Sequence, residues 1–352
     1  MSVVPDSLRF GPTALPPFMP STYCNPLTIP SYPRGKYTFA PYNRPEAWGW
    51  LQEAPRDFRE LADPTVLWHE GRWYLFPSCG MAWVSEDFVT WTHHPIEPFD
   101  AGYAPTVAHY RGRFLMTASK AGLWEAPHPL GPWRHVGPIV TPSGAAPESW
   151  QDPMIFPDTD GRLYLYWGIS APGIFGAELD PERPERMLTE PRILFEFDSA
   201  HTWERAGDHN ECTHRNFNEG AWMLKIGATY YLTYAGPGTE WKSYAMGCYR
   251  GDSPLGPFVY DESSPFCTKT DGLVQGPGHG CIVSGPGDTL WAFYTCRVCF
   301  EHVFERRIGM DRVRVREDGR LEVVVTETPQ FAPGRGAAGE AGEAGEGPGW
   351  SP

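Results

Sequence analysis

Positive charge is scarce in this chain: 29 lysines and arginines stand against 43 acidic residues, a formal net charge of −14. Nucleic acids and anionic membranes are held by basic patches, so neither is an expected partner. No apolar run approaches the roughly 18 residues that cross a bilayer, so no membrane-spanning segment is expected. The opening stretch MSVVPDSLRFGPTALPPFMP has no basic start followed by an apolar core, and it does not read as a secretory leader. The eight cysteines are thinly spread. Cys296 and Cys299 form a lone Cys-x-x-Cys with no second pair at zinc-ribbon spacing, so the expectation is reduced, mostly buried thiols in a cytoplasmic protein rather than a metal or redox centre.

Aromatics and turn formers are plentiful. There are 15 tryptophans, 16 tyrosines and 19 phenylalanines, with 38 glycines and 38 prolines. That mixture fits many short strands joined by tight turns and does not fit long helices. A chain of 352 residues can bury a large core, either as two average domains or as one large repeat domain.

One pattern recurs. QDPMIFPDTDGRLYLYWG, from Gln151 to Gly168, predicts an outgoing strand, an Asp-Gly turn and a returning strand of alternating apolar residues. Proline after Asp152 is tolerated because a strand's first residues can lack a ladder donor. ADPTVLWHEGRWYLF (Ala62 to Phe76) and NEGAWMLKIGATYYLTYAG (Asn218 to Gly236) have the same design. Weaker copies are YAPTVAHYRGRFLMTAS and GHGCIVSGPGDTLWAFYTC, so hairpins open near residues 62, 104, 151, 218 and 278. The spacing leaves room for four strands per repeat, and Pro-Leu-Gly-Pro with an aromatic recurs at 129–133 and 254–258. Such periods with four short strands each predict an all-β, five-bladed β-propeller over residues 61–330. Residues 1–60, rich in Pro, Tyr and Arg, are expected as an extended arm packed on it, and 331–352 as a disordered Gly/Ala/Glu/Pro tail. Asn25, Tyr32 and Arg34 of the arm are given no role.

A propeller gathers the starts of its inner strands at one end of a central channel. Asp63, Asp152 and Glu219 each stand at such a start, in what the repeat presents as equivalent positions. They are therefore expected to meet. A pair of carboxyl groups across a bond suits glycoside hydrolysis, one as proton donor and the other as base or nucleophile, and a third can raise the donor's pKa by repulsion. Trp150 and Tyr103, beside the expected rim, could stack on a sugar. Asp158 and Asp160 fall at a hairpin tip and read as turn residues. His279, between glycines in GPGHG, is expected at the channel, where the backbone must approach closely. Of the Arg306–Arg307 pair, Arg307 is assigned to the substrate, a solvated surface pair being the plainer alternative.

Five of these motifs, in order, resemble glycoside hydrolase family 43, the five-bladed propeller glycosidases, over about residues 60–325. The resemblance implies that Asp63 is the general base, Asp152 the residue that tunes and orients the acid, and Glu219 the general acid. It implies that His279 lies at the channel centre, next to a calcium ion held largely by waters, and that RRIGMDRVRVREDGRLEV is the closing arginine-containing strand pair. It also implies inversion at the anomeric carbon. Ala221 stands where the family usually has proline, and Tyr103 where a tryptophan is frequent. The long arm and the segment from Arg183 to Asn218, expected as a substrate-side insertion, would close one end of the cleft. The expectation is an exo-acting enzyme that takes a terminal pentose, arabinofuranose or xylose, from an oligosaccharide. The alternatives are a glycosidase of anhydrogalactose- or galactose-type oligosaccharides, a propeller that binds carbohydrate without catalysis, and a phosphorylase. The last would need basic groups near Asp63, and no basic cluster adjoins it in sequence.

Overall fold

The computed structural model describes residues 22–30, 61–78, 81–96, 102–214, 217–285, 289–298 and 305–332. Within them the chain forms five four-stranded antiparallel sheets, each built from four consecutive strands. Blade one comprises Thr65–His69, Arg72–Phe76, Met81–Ser85 and Thr92–Pro95; blade two comprises Tyr103–Tyr110, Arg113–Ser119, Leu123–Ala126 and Arg134–Gly137. Blade three comprises Met154–Pro157, Leu163–Trp167, Ile174–Leu179 and Arg192–Phe195. Blade four comprises Glu219–Ile226, Thr229–Gly236, Ala245–Gly251 and Phe258–Tyr260; blade five comprises Gln275–Gly285, Thr289–Arg297, Arg306–Val315 and Leu321–Val323. The first strand of every blade lies against the first strands of both neighbours, blade five against blade one included. The fold is the expected five-bladed propeller, with first strands innermost.

The core lies between blades, and strand alternation is what builds it. In Arg72–Phe76, Trp73 and Leu75 face blade five, packing with Phe293 and Met310, while Tyr74 and Phe76 face blade two, packing with Phe114 and Met116. The other three gaps repeat this plan, with Leu165 and Trp167 between blades two and three, Tyr164 and Tyr166 between three and four, and Tyr294 between four and five. Twisted blades splay apart from the axis, and large rings fill the wedge. This is the structural use of the aromatic abundance. Each fully buried ring or aliphatic side chain contributes roughly 1.5–3 kcal/mol by leaving water.

The described part of the arm closes the ring. Thr22–Tyr23 pairs with Gln330–Phe331, and the Leu27 N–H donates to the Ile308 carbonyl at 2.8 Å. Asn25, given no role from sequence, is a buried clasp. Its side-chain amide donates to the Met310 carbonyl at 2.9 Å and to Asp311 at 3.0 Å, while its Oδ1 accepts from Met310 N–H at 2.9 Å. Tyr32 and Arg34 lie outside the described residues, as do 333–352. Phe331 pairs with Thr22 and Ala332 is buried, so the first two residues of the segment expected as a tail are packed on the propeller.

One further expectation is corrected. The 183–218 segment is not one insertion, since Arg192–Phe195 is the fourth strand of blade three. Beyond it, a short 3-10 turn at Thr202–Glu204 buries Glu204, which accepts from Tyr234 OH and, at 2.8 Å, from the Asn218 amide. Asp160 is a turn residue as expected, accepting from the Arg162 N–H. Asp158 is a turn residue as well, its N–H donating to the Arg162 carbonyl and its carbonyl accepting from the Gly161 N–H, and its carboxylate also ties blade three to blade four, bonding the Lys225 ammonium at 2.9 Å and Tyr230 OH at 2.5 Å. Six cysteines are described and all are free thiols; Cys248, Cys267, Cys281 and Cys296 are buried, and Cys299 falls outside the described residues. Among the described residues no helix is long and apolar enough to cross a membrane.

Candidate active site

Each blade turns into its inner strand through a residue with left-handed backbone. These are Asp63 (φ 52°), Ala104 (50°), Asp152 (50°), Gly220 (61°) and His279 (37°). Non-glycine residues adopt this conformation rarely, because Cβ crowds the backbone, and the surrounding fold must hold them there. Three of these turns bring side chains together, those of Asp63, Asp152 and His279. Glu219 is displaced by one residue from the expected equivalence: Gly220 matches Asp63 and Asp152, and Glu219 matches Tyr103. The same register shift follows Glu219 in blade four and Tyr103 in blade two, in keeping with that match.

Hydroxyl groups stitch these turns around the ring. Thr295 of blade five accepts from the Asp63 N–H at 2.7 Å, Ser78 of blade one accepts from the Ala104 N–H at 2.9 Å, and Ser119 of blade two accepts from the Asp152 N–H at 2.9 Å. At the junction of blades three and four, the Gly220 N–H bonds the Asp152 side chain.

The carboxylates are held by the same groups. Asp63 is buried; Ser78 donates to its Oδ2 at 2.7 Å, and the Arg306 guanidinium stands 3.6 Å from its Oδ1. Asp152, also buried, accepts from Ser119 at 3.1 Å. His279 joins the two, its Nδ1 lying 3.3 Å from Asp63 and 3.5 Å from Asp152. Glu219 accepts from Tyr244 OH at 2.6 Å. Burial holds the Glu219 carboxyl well above its ordinary value, and the charge of Asp152 adds to this. Burial also raises Asp152, against the pull of the His279 charge and with a further push from Asp63. The three expected carboxylates and His279 thus gather at one end of the channel, and burial favours the protonated form of Glu219.

The remaining expected residues divide. Tyr103 belongs to the site: Arg306 donates to its hydroxyl and lies 5.6 Å from its ring centroid. Trp150 is engaged from behind, its indole N–H donating to the Ala121 carbonyl at 3.1 Å and its ring lying 5.8 Å from that of Trp167. Arg307 is the next residue on the same strand as Arg306. Its guanidinium donates to Glu305 and to the Arg306 carbonyl, and Arg306 is the buried arginine facing Asp63. Neighbours on a strand point to opposite faces, so only one of the pair can face inward. Ser78, Ser119, Thr295 and Tyr244 went unrecognised. Each lies outside the motif it serves.

Among the described residues no three His, Cys, Asp or Glu side chains gather as a metal cluster. Calcium prefers oxygen ligands. With His279 Nδ1 turned to two carboxylates, direct ligation of calcium by this side chain does not fit, and no catalytic step is derived through it.

A propeller whose channel mouth gathers a glutamate with a raised pKa and a pair of buried aspartates defines a class, the acid–base glycoside hydrolases. The family model for glycosyl hydrolases family 43 matches residues 80–321, and the chain belongs to that family. It is 25% identical over 303 residues to the beta-D-galactofuranosidase xynD of Aspergillus niger, an alignment covering 74% of this chain and 81% of the relative. It is 29% identical over 214 residues to the xylosidase/arabinosidase of Bacteroides ovatus, covering 53% of this chain and 61% of that one. A solved thermostable family-43 glycoside hydrolase superposes with a TM-score of 0.65 at 23% identity, over 78% of this chain and 96% of that one, which speaks for the fold alone.

Proposed function

We propose that the chain is an inverting, exo-acting glycoside hydrolase that releases a terminal pentose, arabinofuranose or xylose, from an oligosaccharide. The observation that carries this reading is Glu219 held protonated beside the His279-linked pair of Asp63 and Asp152. In the proposed step Glu219 gives its proton to the departing glycosidic oxygen. Asp63 takes a proton from the water that attacks the anomeric carbon from the opposite face. Asp152 keeps Glu219 protonated through its charge and positions it through the Gly220 amide. Ser78 and Arg306 orient the two oxygens of Asp63. The phenol and ring of Tyr103 line the same wall and, with Trp150, are proposed sugar contacts.

The xylosidase/arabinosidase relative supports the pentose; the galactofuranosidase makes a furanoside of galactose the second sugar to try. Aryl arabinofuranoside, xyloside and galactofuranoside, assayed with wild type and Glu219→Gln, test the sugar. Proton NMR of the first anomer released tests inversion, and appearance of the retained anomer overturns it. A cytoplasmic location, expected from thinly spread, reduced thiols, is a further proposal, and fractionation of the native host tests it. Calcium beside His279, reached through water, is a separate proposal, tested by the response of melting temperature to calcium after chelation.

A further inference from the structure

We propose that Tyr244 is a positioning residue that selects which oxygen of Glu219 carries the catalytic proton. This rests on Glu219 acting as general acid. Tyr244 enters from the segment before blade four's third strand and is buried, 1% exposed. Its hydroxyl reaches Glu219 Oε1 at 2.6 Å. The path of its ring is cleared by one residue of blade five: a Cβ on Gly278 would lie 2.3 Å from both Cδ1 and Cε1 of the tyrosine. The phenol is thus locked between a glycine and the acid.

The chemistry follows from donors and acceptors. A phenol O–H directed at Oε1 occupies that oxygen as an acceptor. The proton of the neutral carboxyl is then carried on Oε2, the oxygen left to meet a leaving group. When Glu219 gives up this proton, the same O–H stabilises the carboxylate that remains. Burial and the Glu219 charge keep the Tyr244 hydroxyl protonated well above its ordinary range, so it stays a donor throughout turnover. The first glycine of the Gly-His-Gly run thereby acquires a purpose that its neighbour His279 does not supply.

The test compares two leaving groups on the sugar that the wild type hydrolyses. A nitrophenyl glycoside needs little protonation; a methyl glycoside depends on it. Tyr244→Phe is expected to lower kcat on the methyl glycoside by about 10- to 100-fold, and on the nitrophenyl glycoside by less than about 3-fold. With the donor gone, Glu219 binds its proton more tightly, so the alkaline limb on the methyl glycoside moves to higher pH. Gly278→Ala, which displaces the ring without removing the phenol, is expected to repeat the leaving-group selectivity, and it decides the matter if the phenylalanine variant does not fold. Equal losses on both glycosides, or no loss on either, overturn the proposal. Glu219→Gln in parallel separates the two levels: if it lacks the leaving-group selectivity, the general-acid assignment falls and this proposal with it. If it shows the selectivity and Tyr244→Phe does not, only the role of Tyr244 falls.

Discussion

The Cα of Gly220 lies directly against the imidazole of His279: a Cβ built there would sit 2.7 Å from Cγ and 2.8 Å from Cδ2 of the ring. Gly220 also has left-handed backbone, φ 61°, and its N–H bonds Asp152. Gly220→Ala therefore strains the turn and pushes His279 away from both aspartates. A stability loss of about 1–3 kcal/mol is expected. With His279 displaced and both aspartates losing its contact, kcat/KM should fall by roughly 100-fold or more. Chemical denaturation and kinetics measured together check this; a variant with wild-type kinetics would show that His279 does not align the pair.

Glu219 should act as a destabilising residue at neutral pH. Its folded-state pKa lies above its ordinary value of 4.5, so the native state holds a proton that the unfolded chain releases. The penalty is absent below the unfolded pKa and grows as pH rises toward the folded one. Glu219→Gln should therefore melt higher than wild type at pH 7, with the gain vanishing near pH 4. Calorimetry at both pH values decides the sign.

Removing the charge of Asp152 should lower the pKa of Glu219, since that charge is among the causes of its elevation. The alkaline limb of kcat/KM for Asp152→Asn is expected to shift to lower pH, alongside a drop in rate. An unmoved or upward-shifted limb would place the tuning elsewhere.

Ser78 joins two turns, donating to Asp63 and accepting from the Ala104 N–H. Ser78→Ala leaves a buried amide without its acceptor, a loss of about 1–3 kcal/mol. Urea denaturation measures it, and activity should fall with it because Asp63 loses the bond that orients Oδ2.

The arginine pair offers a direct contrast. Arg306→Lys cannot reproduce the guanidinium fork shared between Asp63 and Tyr103, and a loss of at least about 10-fold in kcat/KM is expected. Arg307→Lys should stay within about 3-fold, because Arg307 serves Glu305 rather than the site. Equal losses would restore Arg307 as a substrate residue.

Local pattern was enough to place the blades and the acids. Alternation at period two, turn glycines and a repeated Asp-Pro depend only on near neighbours along the chain, so five hairpins, Asp63, Asp152, Glu219 and His279 were visible in sequence. The repeat placed Glu219 one residue out of phase: with Ala221 in the place of Pro64 and Pro153, Gly220 is the residue that matches Asp63 and Asp152. That Arg306 is the arginine beside Asp63 was hidden for a related reason: which neighbour faces inward depends on strand register. The supporting groups could not be found at all from the linear motif. Thr295 meets Asp63 across 232 positions of sequence and Asn25 meets Met310 across 285, contacts that exist only because the ring closes. Composition and periodicity determined the architecture and the chemistry; ring closure determined which hydroxyls, which arginine and which tyrosine hold that chemistry in place.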